Sequence, residues 1–261
     1  MTGRRTASLP AVAVAVAVAV ATTLLGCSGS SSGSGTSGNG TINVFAASSL
    51  TEAFTTLGKQ FESAHPGVKV VFNFGPSSGL SEQINQGAPA DVFASASTKS
   101  MDEVVAAGGA TNPTSFAKNV MEIAVPPSNP GHVASVNDLA KSSVKVALCQ
   151  AAVPCGATAA KVFDNAKITV KPVTQEIDVK SVLSKVQLDE VDAGVVYVTD
   201  VRAAGDKVMG IEIPSDVNAS TTYPIAALAK SSDKAVAQAF VDYVLSDKGK
   251  AVLTAAGFAA P

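Results

Sequence analysis

Tryptophan is absent from this chain of 261 residues, aromatic residues make up only 5%, and charged residues 15%. There are two histidines and three cysteines. Each scarcity removes a class of function. With no Trp and few other rings, the chain offers no stacking platform for bases or sugars. A formal net charge of −2, with no basic run or face to neutralise phosphates, excludes nucleic acid as a partner. His65 and His132 are isolated and read as surface loop residues. What is plentiful is apolar: 46% hydrophobic content gives ample core, and the length allows one or two domains. Glycine and other small residues are frequent, as expected where backbone must approach something closely.

Arg4 and Arg5 precede the uncharged run Leu9 to Leu25, which carries a repeating Ala-Val stretch. Behind two arginines, that run reads as the apolar region of a secretion signal spanning residues 1–26. A single-pass anchor is the rival, but the run is short for spanning and Pro10 breaks it. Leu24-Leu25-Gly26-Cys27 resembles the bacterial lipobox, in which the cysteine is lipidated and becomes the mature N-terminus. Lipid on Cys27 would tether the protein to the outer face of the cell membrane. Ser28 to Thr41 is almost wholly Ser, Gly, Thr and Asn, so residues 27–41 are expected to form a flexible leash reaching roughly 20 Å. The other cysteines, Cys149 and Cys155, are close enough for a disulfide outside the cytoplasm. A metal site is the alternative, although no His or third Cys lies near them.

Beyond the leash, strands and helices alternate. Strands are expected at Ile42–Phe45, Val68–Phe74, Asp91–Ser95 and Val120–Val125, with helices starting near Leu50, Leu80 and Ser97 or Thr98. A second set follows: strand Val144–Cys149, helix Gly156–Asn165, strand Ile168–Val173, a helix capped by Asp178, and strand Ala193–Tyr197. Strand Tyr223–Leu228 and two final helices close the chain. Repeated β-turn-α predicts an α/β fold with mostly parallel sheets covered by helices. The elements divide into two lobes, residues 42–124 with 223–261, and 125–222. Ligands of such sheets sit outside the carboxyl ends of the strands, and a cleft between lobes is a common pocket.

The most informative stretch is Phe45-Ala46-Ala47-Ser48-Ser49-Leu50-Thr51-Glu52-Ala53, where a strand runs through two serines into a helix. A serine there suits an ordinary N-cap. It suits equally an anion held by first-turn N–H groups at the positive end of the helix dipole. The arrangement recurs at Ser77-Ser78, at Val153-Pro154-Cys155-Gly156 and at Asp178-Val179, and Tyr197 ends a strand where its hydroxyl can donate. These junctions supply hydroxyls and helix-end amides but no Lys, Arg or His. That suits an anion held by neutral donors, and excludes protonated anions for want of acceptors.

Val44 to Ala53 resembles the opening motif of the molybdate-binding proteins of ABC transporters, which have a two-lobe type II periplasmic-binding-protein fold. Gly87-Ala88-Pro89-Ala90-Asp91-Val92-Phe93 looks like that family's turn into its third strand. Gly194-Val195-Val196-Tyr197 resembles its tyrosine strand, and Tyr223-Pro224-Ile225-Ala226 its return crossing. The similarity runs from Ile42 to Phe258 with the motifs in order. It implies capture of molybdate, and tungstate too, for delivery to an ABC permease in the same membrane. A monomer with no cofactor is expected. Carried over by position, the oxyanion contacts fall on Ser49 and Ser77 through hydroxyl and amide, on the backbone of Cys155 and Val179, and on the Tyr197 hydroxyl. The metal atom would have no direct protein ligand. The chain departs from the pattern at Ser48 and Cys155, where alanine is usual, and at Pro76, where serine is common and an N–H is lost.

Sulfate or another tetrahedral oxyanion is the alternative ligand. An enzyme reading also exists. Gly75-Pro76-Ser77-Ser78-Gly79 fits the G-x-S-x-G nucleophile elbow, with His132 as base and Asp91 or Asp102 as acid. The elbow would come early in the sheet, with its base in a Pro/Gly loop. A purely structural surface lipoprotein is the third reading.

Overall fold

The computed structural model describes residues 40–261. The signal, Cys27 and the leash as far as residue 39 lie outside the described residues. Strand β1 (Gly40–Ala47) begins two residues inside the expected leash, since Gly40 and Thr41 pair with Val68 and Lys69. A single 3₁₀ turn over Ser48–Leu50 leads from it into α1 (Thr51–Ala64). There follow β2 (Val68–Gly75), α2 (Ser77–Asn85), β3 (Val92–Ala94) and α3 (Thr98–Ala106). The long strand β4 (Thr114–Val125) leads to β5 (Val146–Cys149), α4 (Pro154–Ala166), β6 (Thr174–Glu176) and α5 (Val179–Gln187). Last come β7 (Ala193–Tyr197), α6 (Val198–Ala204), β8 (Met209–Glu212), β9 (Ser220–Ala227), α7 (Lys234–Leu245) and α8 (Asp247–Ala256).

Strands β2, β1 and β3 are parallel neighbours, as are β6, β5 and β7. The two sets are joined through β9 and β4, which run antiparallel to the strands beside them. The N-terminal half of β4 pairs with β9 and its C-terminal half with β7 and β8. The fold is therefore α/β with mostly parallel sets, as expected.

Packing follows the same division. Phe54, Phe61 and Phe240 meet edge to face beneath β1, in a core shared with Tyr223 and Phe258. A separate core gathers Ile123, Val146, Val182, Val195 and Tyr197 around β5 and β7. Burying apolar side chains on both faces explains why β1, β5 and β7 read as near-continuous hydrophobic runs.

The expected strand Ile168–Val173 is not formed; the pairing segment is β6, starting at Thr174. Pro172 explains the shift, since it has no N–H to give a ladder; Val173 donates to the Val146 carbonyl at 2.9 Å, whereas Ile168 donates back to Phe163 at the end of α4. The first half of β4, α6 and β8 are elements beyond those expected.

Candidate functional site

Six strands point their carboxyl ends at one place. The chain leaves β1 at Ala47, β2 at Gly75 and β7 at Tyr197, and passes Ala96 after β3, Val153–Cys155 after β5 and Asp178–Val179 after β6. All of these residues line a single hollow. Ser49, Ser77, Cys155, Val179 and Tyr197, the five residues carried over by position, are brought together on its wall. Ser48, Pro76, Ala96 and Pro154 complete the lining. Ala96 and Ser97 form one more small-residue junction between strand and helix, a signal of the same kind as Ala47-Ser48 that sequence reasoning passed over.

Local structure explains what these junctions offer. The first N–H groups of a helix have no partner within it. Elsewhere in the molecule side chains fill that need: Ser97 accepts from Ser100 N–H, Asp233 from Val236 N–H, and Ser246 from Gly249 N–H. At the hollow three helical starts go without. The turn after Ala47, α2 after Pro76 and α4 after Val153 have no side-chain cap. The ordinary N-cap reading of Ser48 and Ser49 is thus not what the structure shows. The fourth start, α5, is capped by Asp178, whose carboxylate accepts from Ser181 N–H at 2.8 Å. Uncapped amides converging from several helices carry the summed positive ends of their dipoles.

The hydroxyls add to this. Ser77 Oγ accepts from the Ala96 N–H at 2.9 Å, which leaves the serine's own proton to give. Ser49 Oγ lies 2.8 Å from the Tyr223 hydroxyl. Tyr197, 1% exposed, has a hydroxyl with no hydrogen-bond partner among the described residues. Burial, with Tyr223 beside it, holds that phenol well above its ordinary pKa, so it stays protonated and keeps a proton to donate. A buried donor left alone costs about 1–3 kcal/mol, which an anionic oxygen would recover.

Charge is kept at a distance. Asp178 is the one ionisable carboxylate on the wall, and it is turned into its own helix. Lys180, next to Val179, aims its ammonium elsewhere, 3.0 Å from Asp200 and 2.8 Å from Glu52. Among the described residues no Lys, Arg or His lines the hollow. An anion here would meet neutral dipoles.

The cysteines Cys149 and Cys155 form a disulfide, with Cα atoms 5.8 Å apart, which closes the loop entering α4 and sets Cys155 on the wall. The elbow reading fails on geometry. Ser77 is bonded to the Ala96 amide, no histidine lines the hollow among the described residues, and the Asp91 carboxylate is taken by Asn43 N–H, Ser231 and Ser232. Two residues that sequence reasoning did not mark as site residues, Tyr223 and Asp200, stand directly behind the wall; only the folded register brings them there.

The family described as bacterial extracellular solute-binding protein matches residues 42–259. The protein of Mycobacterium tuberculosis (strain ATCC 25618 / H37Rv) named molybdate-binding protein ModA is 43% identical over 222 residues, 85% of this chain and 85% of that one. Among solved structures, the periplasmic molybdate-binding protein of Azotobacter vinelandii superposes with a TM-score of 0.74 at 22% identity, over 84% of this chain and 99% of that one. The sulfate-binding protein SubI of M. tuberculosis H37Rv reaches the same TM-score at 16% identity, over 84% of this chain and 86% of that one. The two structures establish a shared fold. With nearly the whole described chain covered by one family, and a relative of that identity along most of its length, this chain belongs to the bacterial extracellular solute-binding proteins.

Proposed function

We propose that this protein captures molybdate, and tungstate with it, in the hollow at the strand ends and delivers the anion to an ABC permease. The observation that carries the reading is the convergence of three uncapped helical starts and the orphan Tyr197 hydroxyl on one space free of cationic side chains. The name and 43% identity of the M. tuberculosis relative support molybdate as the solute. No bond is made or broken. Ser49, Ser77 and Tyr197 donate through hydroxyls, and the amides at Ser49, Ser77, Cys155 and Val179 donate from the backbone. Each such bond to a charged oxygen is stronger than one between neutral groups. Residues 42–124 with 223–261, and residues 125–222, act as two lobes that close over the dianion, and the closed form docks on the permease as a monomer. Lipid on Cys27 and the leash behind it hold the protein near that partner.

Sulfate is the second reading, because the shared fold includes a sulfate-binding protein. The two dianions have the same charge and shape and differ in size, so discrimination falls to the fit of the donor cage. Isothermal titration of the mature chain with molybdate, tungstate, sulfate and phosphate tests this. Molybdate and tungstate are expected to bind alike and far more tightly than sulfate or phosphate. Sulfate binding as tight as molybdate would transfer the assignment to sulfate, and heat from none of the four would overturn it. Membrane fractionation of Cys27→Ala, expected to be released to the aqueous phase, tests the anchor.

A further inference from the structure

One ammonium ties together the two cores that meet at the hollow. Lys180 stands in α5, which packs Val182 into the core around β5 and β7, and Glu52 stands in α1, which packs Phe54 beneath β1. Lys180 Nζ lies 2.9 and 2.8 Å from the two Glu52 carboxylate oxygens and 3.0 Å from Asp200 Oδ1. Among the described residues, Lys180–Glu52 is the one ion pair that joins an element of one core to an element of the other. Each member of the group follows a wall residue closely: Glu52 comes three positions after Ser49, Lys180 one after Val179, and Asp200 three after Tyr197. The two ends of the bridge differ. Asp200 is fully buried and also accepts from Tyr197 N–H at 3.1 Å, whereas the Glu52 side chain is 52% exposed. Surface hollows flank the pair, and Glu52 lines both, so water can reach that carboxylate from either side.

We propose that Glu52 and Lys180 form a latch across the cleft, a contact outside the donor cage that holds the two lobes closed and slows release of the bound anion. This deepens the proposed molybdate function and rests on it. A buried carboxylate deprived of its cation is strongly unfavourable, while an exposed one is rehydrated at little cost. Opening therefore separates Lys180 from Glu52 and leaves it with Asp200, on the side that also carries Val179 and Tyr197. Lysine suits the task, since a compact ammonium on a flexible stem can exchange one carboxylate for water. Closure and binding are linked, because whatever raises the fraction of molecules in the closed form raises the apparent affinity with it. Coulomb's law alone gives the opposite sign. Glu52 is an anion beside a site for anions, so acting only through its charge it would weaken binding, and its removal would strengthen it.

The test is Glu52→Gln, Lys180→Gln and the double variant of the mature chain. Each is titrated with molybdate, and its release rate is read from the exchange of labelled for unlabelled molybdate. Glu52→Gln is expected to speed release and raise Kd by about threefold to fivefold, the range for a partly exposed pair, with the association rate little changed. The double variant is expected to lose no more affinity than Lys180→Gln alone, because both remove one contact. If Lys180→Gln does not fold, Glu52→Lys takes its place. It sets a second ammonium against Lys180 and is expected to release molybdate faster than Glu52→Gln, although its added positive charge alone would slow release. Glu52→Gln binding molybdate as tightly as the unaltered protein, or more tightly, overturns the latch. So does a changed association rate with unchanged release, which would make Glu52 a steering charge only. Failure of the unaltered protein to bind any oxyanion refutes the functional reading itself, whereas molybdate binding that neither variant alters refutes the latch alone.

Discussion

Asp200 is fully buried against the back of the hollow, and its protonation makes the fold's stability depend on pH. One carboxylate oxygen accepts from Tyr197 N–H at 3.1 Å, and the other lies 3.0 Å from the Lys180 ammonium, which also holds Glu52. Burial pushes the Asp200 pKa up to about 6 even though Lys180 and the Tyr197 amide pull it down. The folded protein thus binds this proton more tightly than the unfolded chain, whose aspartate titrates near 3.8. A raised carboxylate pKa contributes stability that is complete below about pH 4 and is lost as pH rises through about 6. Two pKa units correspond to about 3 kcal/mol in total, and about 2 kcal/mol of that falls between pH 4.5 and 7.5.

Asp200→Asn isolates the effect. The amide keeps an oxygen for the Tyr197 N–H and cannot ionise. Urea unfolding of both proteins across pH 4.5 to 7.5 is the assay. The stability of the unaltered protein minus that of the variant is expected to fall by about 2 kcal/mol over this window. The Lys180–Glu52 pair remains in both and, being exposed on the Glu52 side, contributes at most about 1 kcal/mol. Stability curves that run parallel, within about 0.5 kcal/mol, would refute the reasoning and mean that Lys180 cancels the burial of Asp200.

Ser49→Ala and Tyr197→Phe are each expected to weaken molybdate by about 1–3 kcal/mol in titration, and Tyr197→Phe to leave ligand-free stability equal or higher, because it deletes a buried donor without a partner. Unchanged affinity in both would move the site elsewhere. Gly156→Ala would drive a Cβ into the Gln150 carbonyl oxygen, so the loop into α4 must shift; a cost of at least about 1–3 kcal/mol in denaturation and a loss of binding are expected. Reducing the Cys149–Cys155 disulfide releases a loop with a sequence separation of 6 and is expected to cost about 2 kcal/mol by urea unfolding with and without reductant.

Much of the candidate site was legible because each proposed donor sits at a strand-to-helix junction, and such junctions are marked locally by small residues after an apolar run. Ser49, Ser77, Cys155 and Val179 belong to that class. Tyr197 was readable as the end of a strand with a polar tip. What lay behind them was not readable, since Ser49 and Tyr223 are 174 positions apart and Asn119 and Thr199 are 80 apart. Their encounter depends on β4 and β9 running antiparallel, and nothing in either segment announces its partner. The same limit applies to Lys180 and Glu52, ordinary helix charges until α1 and α5 are side by side. Local chemistry failed in the other direction at Ile168–Val173, where Ile168, Val170 and Val173 suggested a strand and Pro172 prevented one.

The distribution of caps gives these observations a common cause. A side-chain cap removes an amide's need for a partner and contributes about 1 kcal/mol to its helix. The molecule uses that device at α3, α5, α7 and α8, and omits it at the starts around Ser49, Ser77 and Cys155. On stability alone the omission is unfavourable, and it occurs where three helical starts share one space. Pro154 at the first position of α4 reduces the loss, since proline has no N–H to leave unpaired there. The remaining amides and the Tyr197 hydroxyl form a set of donors whose geometry is fixed by strands and helices on either side, not by side chains that could reorient. A dianion entering such a set meets hydrogen bonds already aimed, and the protein spends little conformational entropy to hold it. Cationic side chains would bind a dianion more strongly but with less regard to its size, whereas a rigid ring of neutral donors rewards only the ion whose oxygens reach all of them.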